Sequence, residues 1–102
     1  MRIIDTLNER GGKYGPFWVH AAITQELKRV VSNRPGYKRL SDDQREALDM
    51  ILHKIGRIIN GDPSYADSWH DIAGYATLVE QTLVSPQPSL TSAGSTGTMD
   101  GQ

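Results

Sequence analysis

The sequence predicts a small all-α protein: a bundle of three to four helices with a disordered C-terminal tail. Three observations carry this. Apolar residues recur at helical spacing through most of the first 84 positions. Strict apolar–polar alternation over four or more residues, the mark of a half-buried strand, is missing from that stretch. From Ser85 onward, twelve of eighteen residues are Ser, Thr, Gly or Pro, and only Leu90 and Met99 are large and apolar. Such a segment buries too little surface to offset the entropy of ordering it. The expected organisation is a helical domain over 1–84 and a disordered tail over 85–102.

Residues 2–9 suit a short first helix, with Ile3, Ile4 and Leu7 on one side. Gly11-Gly12-Lys13-Tyr14-Gly15 breaks it. Pro16 fits the first turn of the next helix, where a missing N–H costs nothing. From about 17 to 32, Val19, Ile23, Leu27, Val30 and Val31 form an apolar stripe, with Arg29 opposite. Asn33-Arg34-Pro35-Gly36 ends this helix by turn chemistry.

The third helix has the clearest start. Ser41 is a good N-cap, Gln44 follows three residues later as in a capping box, and Asp42 and Asp43 favour the positive end of the helix dipole. Leu40 stands where a hydrophobic staple would put it. Leu48, Ile51, Leu52, Ile55, Ile58 and Ile59 make a broad apolar face, and Asn60-Gly61 is the expected stop. Asp62-Pro63 or Asp67 opens a fourth helix that runs to about Leu83 or Val84. Its buried stripe is expected to be Trp69, Ile72, Ala73, Ala76, Val79 and Leu83, and Ser85-Pro86 terminates it.

A chain of 102 residues holds one domain at most. Cysteine is absent, which excludes disulfides and thiolate metal sites and fits a reducing compartment. No run of about eighteen apolar residues exists to span a membrane, and Met1-Arg2-Ile3-Ile4-Asp5 begins no apolar signal segment. The expected location is the cytosol of the host cell, away from membranes. The net charge of -1 argues against a general nucleic-acid binder. It hides an asymmetry, because residues 1–40 carry a net +5 and residues 41–84 a net -5. Opposite faces that attract within or between subunits would explain this, as would a basic patch for phosphates beside an acidic patch for cations. About eighty folded residues give a marginal core, so a homo-oligomer is expected.

Candidate chemistry concentrates on the last two helices. On a wheel at 100° per residue, Glu46, Asp49, His53 and Arg57 lie opposite the apolar face of the third helix, with Met50 and Lys54 nearby. Two carboxylates and an imidazole there suit a divalent cation, or simply form the wet side of an amphipathic helix. On the fourth helix, Asp67, Asp71, Gly74 and Leu78 continue one side, away from the Trp69–Leu83 stripe. Glycine inside a helix costs about 1 kcal/mol relative to alanine, so Gly74 suggests close approach of another backbone or a ligand. Where these second faces meet, Asp67 and Asp71 approach Lys54, Arg57, Glu46 or Asp49. The result is a register-fixing ion-pair network, or a pocket in which Lys54 and Arg57 contact phosphates and Tyr75 or another aromatic stacks on a base.

Elsewhere the signals are weaker. The loop Gly11–Gly15 is glycine-rich and feeds a helix N-terminus, but lacks Walker spacing and reads better as a connector. His20 is expected to be a satisfied, partly buried histidine, and His70 exposed. Trp18 and Trp69 suit core or interface. Ser41 and Ser68 have no histidine–carboxylate partners at recognisable spacing, which leaves nucleophilic catalysis without support.

The run Leu52-His53-Lys54-Ile55-Gly56-Arg57-Ile58, followed by Asp67-Ser68-Trp69-His70-Asp71-Ile72-Ala73-Gly74-Tyr75, resembles a family of small phage and prophage proteins of uncharacterised function. Lys13-Tyr14-Gly15 resembles that family's Tyr-Gly element, and the resemblance covers about residues 10 to 80. It implies a phage origin. More distantly, the helical layout is similar to MazG-like all-α nucleoside triphosphate pyrophosphohydrolases. Those enzymes hold magnesium with Glu-Glu-x-x-Glu on one helix and Glu-x-x-Asp on the next. Here Glu46 and Asp49 match only part of that spacing, and Asp67 and Asp71 are four apart.

These readings yield two expectations. The first is a phage-encoded, oligomeric nucleotide-binding protein without a cofactor, acting as a sponge for a host immune signalling nucleotide. Its ligand contacts would be Tyr14, Lys54, Arg57, Asp67, Asp71 and Tyr75. The alternative is a MazG-like pyrophosphohydrolase, in which Glu46, Asp49 and Asp71 would be catalytic and Asp67 would join them around magnesium.

Overall fold

The computed structural model describes residues 12–85. The expected helix over 2–9 and the expected tail beyond Ser85 lie outside the described residues. Within them the fold is all-α, as the sequence predicts. It comprises α1 (Phe17–Ser32), a 3-10 turn (Pro35–Arg39), α2 (Asp42–Asn60) and α3 (Ala66–Val84), with no strand among the described residues.

Local chemistry explains the boundaries. The Pro16 carbonyl accepts the His20 N–H at 3.1 Å, so Pro16 caps α1 from just outside rather than opening its first turn. At the far end the chain does not pass into a simple turn. Arg34, held extended by the following proline, leads into a 3-10 turn with Pro35 at its start. The capping box of α2 is complete. Gln44 N–H donates to Ser41 Oγ at 3.3 Å, and Ser41 N–H donates to Gln44 Oε1 at 2.9 Å. Before α3, Asp62 Oδ1 accepts the Ser64 N–H at 2.9 Å and the Asp62 carbonyl accepts the Tyr65 N–H at 3.1 Å. This turn delays the helix start to Ala66.

Helix α2 is central. It packs on α1 and on α3, which make little contact with each other. The His53 and Gly56 positions meet α1, and Lys54 meets α3. Three helices in one such layer enclose almost no interior, since a core normally needs two packed layers. Ala47, 6 % exposed, is the one buried hydrophobic residue among those described, whereas His20, Thr24, Lys54 and Ser68 are all buried. Phe17, Trp18, Val30, Ile59, Trp69, Leu78, Leu83 and Val84 are exposed.

The expected apolar faces of α1 and α2 are half-buried apart from Val30 and Ile59, whereas the polar side of α2 and the face of α3 differ from expectation. On α1 the buried positions are His20 and Thr24, while Val30 from the expected stripe is exposed. On α2, Lys54 is only 9 % exposed and His53 is half-buried, although both were expected near the wet face. A central helix has two covered sides, which a single-face wheel does not anticipate. On α3 the inward positions are Ser68, Asp71, Ile72, Tyr75, Val79 and Thr82, and the stripe expected to be buried leaves Trp69, Ala73, Ala76 and Leu83 exposed. The inward face is turned about a quarter of a revolution from the apolar one. Two contacts hold that rotation. Lys54 draws Asp71 inward, and the Trp69 indole N–H donates to the Pro63 carbonyl at 2.7 Å on the outer surface.

Candidate functional site

The site builds from the end of α2. Asn60 donates its side-chain amide to the Tyr14 and Pro16 carbonyls, each at 3.0 Å, and the Asp62 N–H donates to the Lys13 carbonyl at 2.7 Å. Gly15 adopts φ +78°, a left-handed conformation that favours glycine. Gly61 is needed for a different reason: a Cβ there would collide with the Lys13 carbonyl and the Tyr14 backbone. The segment expected as a connector is therefore fastened to the α2–α3 turn, with residues 12–14 helical.

That clasp places Tyr14 over α2. The Arg57 guanidinium lies 4.1 Å from the Tyr14 ring centroid, a close cation–π contact. Tyr14 meets Tyr65 edge-on at 5.9 Å, and Lys13 Nζ sits 4.9 Å from the Tyr65 centroid. Tyr65 donates its hydroxyl to Asp67 Oδ2 at 3.0 Å, which pushes the Tyr65 hydroxyl pKa up. Asp67 thus serves the aromatic cluster through Tyr65.

One turn before Arg57, Lys54 Nζ pairs with Asp71 Oδ2 at 2.9 Å. The lysine side chain is 11 % exposed and the carboxylate 41 %. Burying an ammonium is costly without such a partner. The hydrogen bond from Lys54 holds the Asp71 carboxyl below its ordinary pKa. An open trough of about 630 Å³ follows α3 beside this pair, lined among the described residues by His70, Asp71, Gly74, Tyr75, Leu78 and Gln81, with Ala73 and Thr77. A Cβ on Gly74 would meet nothing within 4 Å and Leu78 is exposed, so the close approach expected at Gly74 is not seen among the described residues.

On the other side of α2, His20 Nε2 lies 3.3 Å from His53 Nδ1, the rings edge-on with centroids 4.5 Å apart. Thr24 Oγ1 is 3.5 Å from the same His20 nitrogen. His20 Nδ1 is buried and would stand 3.0 Å from a Cβ on Gly56. Which ring nitrogen donates depends on the tautomer. Burial, then His20, Arg57, Lys54 and Lys28, push the His53 pKa down to about 4. The His20 pKa is also lowered, first by burial.

The structure therefore gathers Tyr14, Lys54, Arg57 and Asp71 around the C-terminal half of α2, with Asp67 joined through Tyr65 and Tyr75 half-buried on the trough. The carboxylates Glu46, Asp49, Asp67 and Asp71 are not brought together: no three His, Asp or Glu side chains group as metal ligands among the described residues. Sequence reasoning missed the Asn60 clasp, the Tyr65 bridge and the His20–His53 pair. The histidines are 33 positions apart and only α1–α2 packing joins them. No helix among the described residues is long and apolar enough to cross a membrane. No protein-family model, curated protein or solved structure matches the chain.

Proposed function

We propose that the chain is the protomer of a phage-encoded, oligomeric nucleotide-binding protein that acts by capture, as a sponge for a host immune signalling nucleotide. The observation that carries this reading is the trough along α3 with Asp71 and Tyr75 in its lining, Asp71 being paired with Lys54. Its volume falls within the roughly 300–1,000 Å³ of small-molecule sites. Lys54 and Arg57 are cations one helical turn apart, suited to neighbouring phosphate oxygens. Tyr14 and Tyr75 supply aromatic surface for a base, and Asp67 and Asp71 supply acceptors for base or ribose donors. Stoichiometric capture needs only such a surface. Phosphoanhydride hydrolysis needs assembled metal ligands as well.

The test incubates the purified protein with deoxynucleotides and cyclic signalling nucleotides in magnesium, followed by chromatography before and after heat denaturation. Intact nucleotide recovered only after denaturation is the expected result, weakened by Arg57→Ala with helicity preserved. Pyrophosphate release abolished by Asp71→Ala or Glu46→Ala would replace capture by MazG-like hydrolysis. Neither capture nor turnover with any nucleotide would end both readings.

A further inference from the structure

Helix α3 carries an apolar repeat that its own chain leaves half uncovered. Trp69, Ile72, Ala76, Val79 and Leu83 follow one another at spacings of three, four, three and four. That is the 3.5-residue period of a helix paired with another helix. Ile72 and Val79 are half-buried beside α2, whereas Trp69 is 54 % exposed, Leu83 is 64 % exposed, and Ala76 between them is exposed. Ala73 and Val84 extend the same open side.

We infer that this face is a self-association seam, along which α3 of one copy packs antiparallel against α3 of a second copy with the two-fold axis at Ala76. Charge sets the orientation. Helix α3 holds Asp67, Asp71 and Glu80, with no lysine or arginine. A parallel, in-register pair would bring each acid level with its own copy. The antiparallel register places Asp67 level with Ser85, Asp71 with Gln81 and Glu80 with Ile72, so no acid faces an acid. It also opposes the two helix dipoles. Trp69 then meets the second copy's Leu83, while Ala76 meets Ala76, and small residues at the centre let the axes approach to about 8–10 Å.

The exposed apolar side chains supply about half of the area a stable pair needs. Trp69, Leu83 and Val84 each expose more than half of their surface. At about 100 Å² apiece, the six side chains of a pair supply roughly 600 Å², half of the smallest stable interface of about 1,200 Å². Ala73, Ala76, Glu80 and the neighbouring residues of both helices can supply the remainder. The seam centres on the flank of α3 away from Gly74 and Leu78, and it meets the trough at Ala73, which borders both.

This inference rests on the part of the proposed function that makes the chain a protomer, but its test uses no nucleotide, so either can fail alone. The native chain has no cysteine, and a single introduced thiol therefore reports one contact. Light scattering on the full chain should give twice the 11.3 kDa chain mass, or an even multiple of it. A monomer mass overturns the inference. Oxidation of Ala76→Cys should convert most of the protein to disulfide-linked dimer, because opposed small positions on close helices meet the disulfide separation of roughly 4.4–6.8 Å between Cα atoms. Thr77→Cys, pointing off the seam, should remain uncrosslinked. An assembly in which Ala76→Cys does not crosslink, or Thr77→Cys crosslinks equally well, places the interface elsewhere and overturns the seam. Trp69→Glu should halve the mass, and the Ala76→Cys result decides the matter if that variant does not fold.

Discussion

Replacing Gly56 by alanine tests the packing that joins α1 to α2. A Cβ at this position would collide with Thr24 Oγ1 and stand 3.0 Å from Cε1 and Nδ1 of His20. Neither neighbour yields easily. Thr24 is β-branched and buried, and the His20 ring is held by His53 at 3.3 Å. Overpacking of this kind costs about 1–3 kcal/mol. Alanine recovers about 1 kcal/mol of helix propensity, so the net loss is up to about 2 kcal/mol. For a domain of this size that lowers the melting temperature by up to roughly 16 °C. Gly74 is the internal control. It lies in the same type of helix, but a Cβ there meets nothing within 4 Å. Gly74→Ala should therefore gain up to about 1 kcal/mol and raise the melting temperature by roughly 4–8 °C. The assay is thermal denaturation followed by far-UV circular dichroism, at one fixed protein concentration because any self-association would make melting concentration-dependent. Adding Thr24→Ala to Gly56→Ala should restore part of the loss. A Gly56→Ala protein that gains stability as Gly74→Ala does would refute the close-packing account.

Two further outcomes follow from the buried polar groups. His53 titrates at about 4 when folded, against 6.5 when exposed. The unfolded chain therefore binds the proton more readily, and the stability this histidine carries is complete above pH 6.5 and is lost as pH falls toward 4. The unfolding free energy from urea titrations should decline between pH 7 and 5 by about 1–2 kcal/mol after allowance for partial exposure, and His53→Gln should flatten that slope; an unchanged slope places the titration elsewhere. Asp71→Ala should lower the melting temperature by stranding the Lys54 ammonium, whereas Lys54→Met with Asp71→Ala should recover most of the loss. A double variant no more stable than Asp71→Ala alone would show that the stranded charge is not the cause.

The parts of the fold that could be read from the sequence are those decided locally. Ser41 and Gln44 announce α2 because a capping box is completed within four residues, and both of its hydrogen bonds form. Asn60-Gly61 ends α2 as expected, although Gly61 answers to the Lys13–Tyr14 backbone beside it. Helix orientation is another matter. Periodicity identifies an apolar face but not what covers it, and on α3 that face looks outward because Asp71 turns inward to Lys54. For the same reason the candidate site was only partly visible. Lys54, Arg57 and Asp71 stand out as charges at helical spacing, and Lys54–Asp71 forms as one of the expected pairs. Tyr14 joins Arg57 only because Asn60 ties down a segment 44 to 46 positions away, and no local pattern encodes that distance.

The inward polar groups and the outward apolar ones have a common physical basis. The main buried polar groups at the helix contacts are paired within the layer: Lys54 has Asp71, and His20 Nε2 has His53 and Thr24. Such pairs fix register and distance, but they add little net stability, because desolvation offsets much of what the contacts return. The apolar area that would normally stabilise a domain of this size instead lies on the outer sides of α1 and α3. Stability and specificity are thus assigned to different surfaces: polar contacts align the three helices, and apolar contacts become available when another layer covers them. The second copy inferred along α3 would provide that layer. Assembly would then stabilise the orientation of α3 on which the trough depends, coupling the number of protomers to the shape of the candidate binding surface.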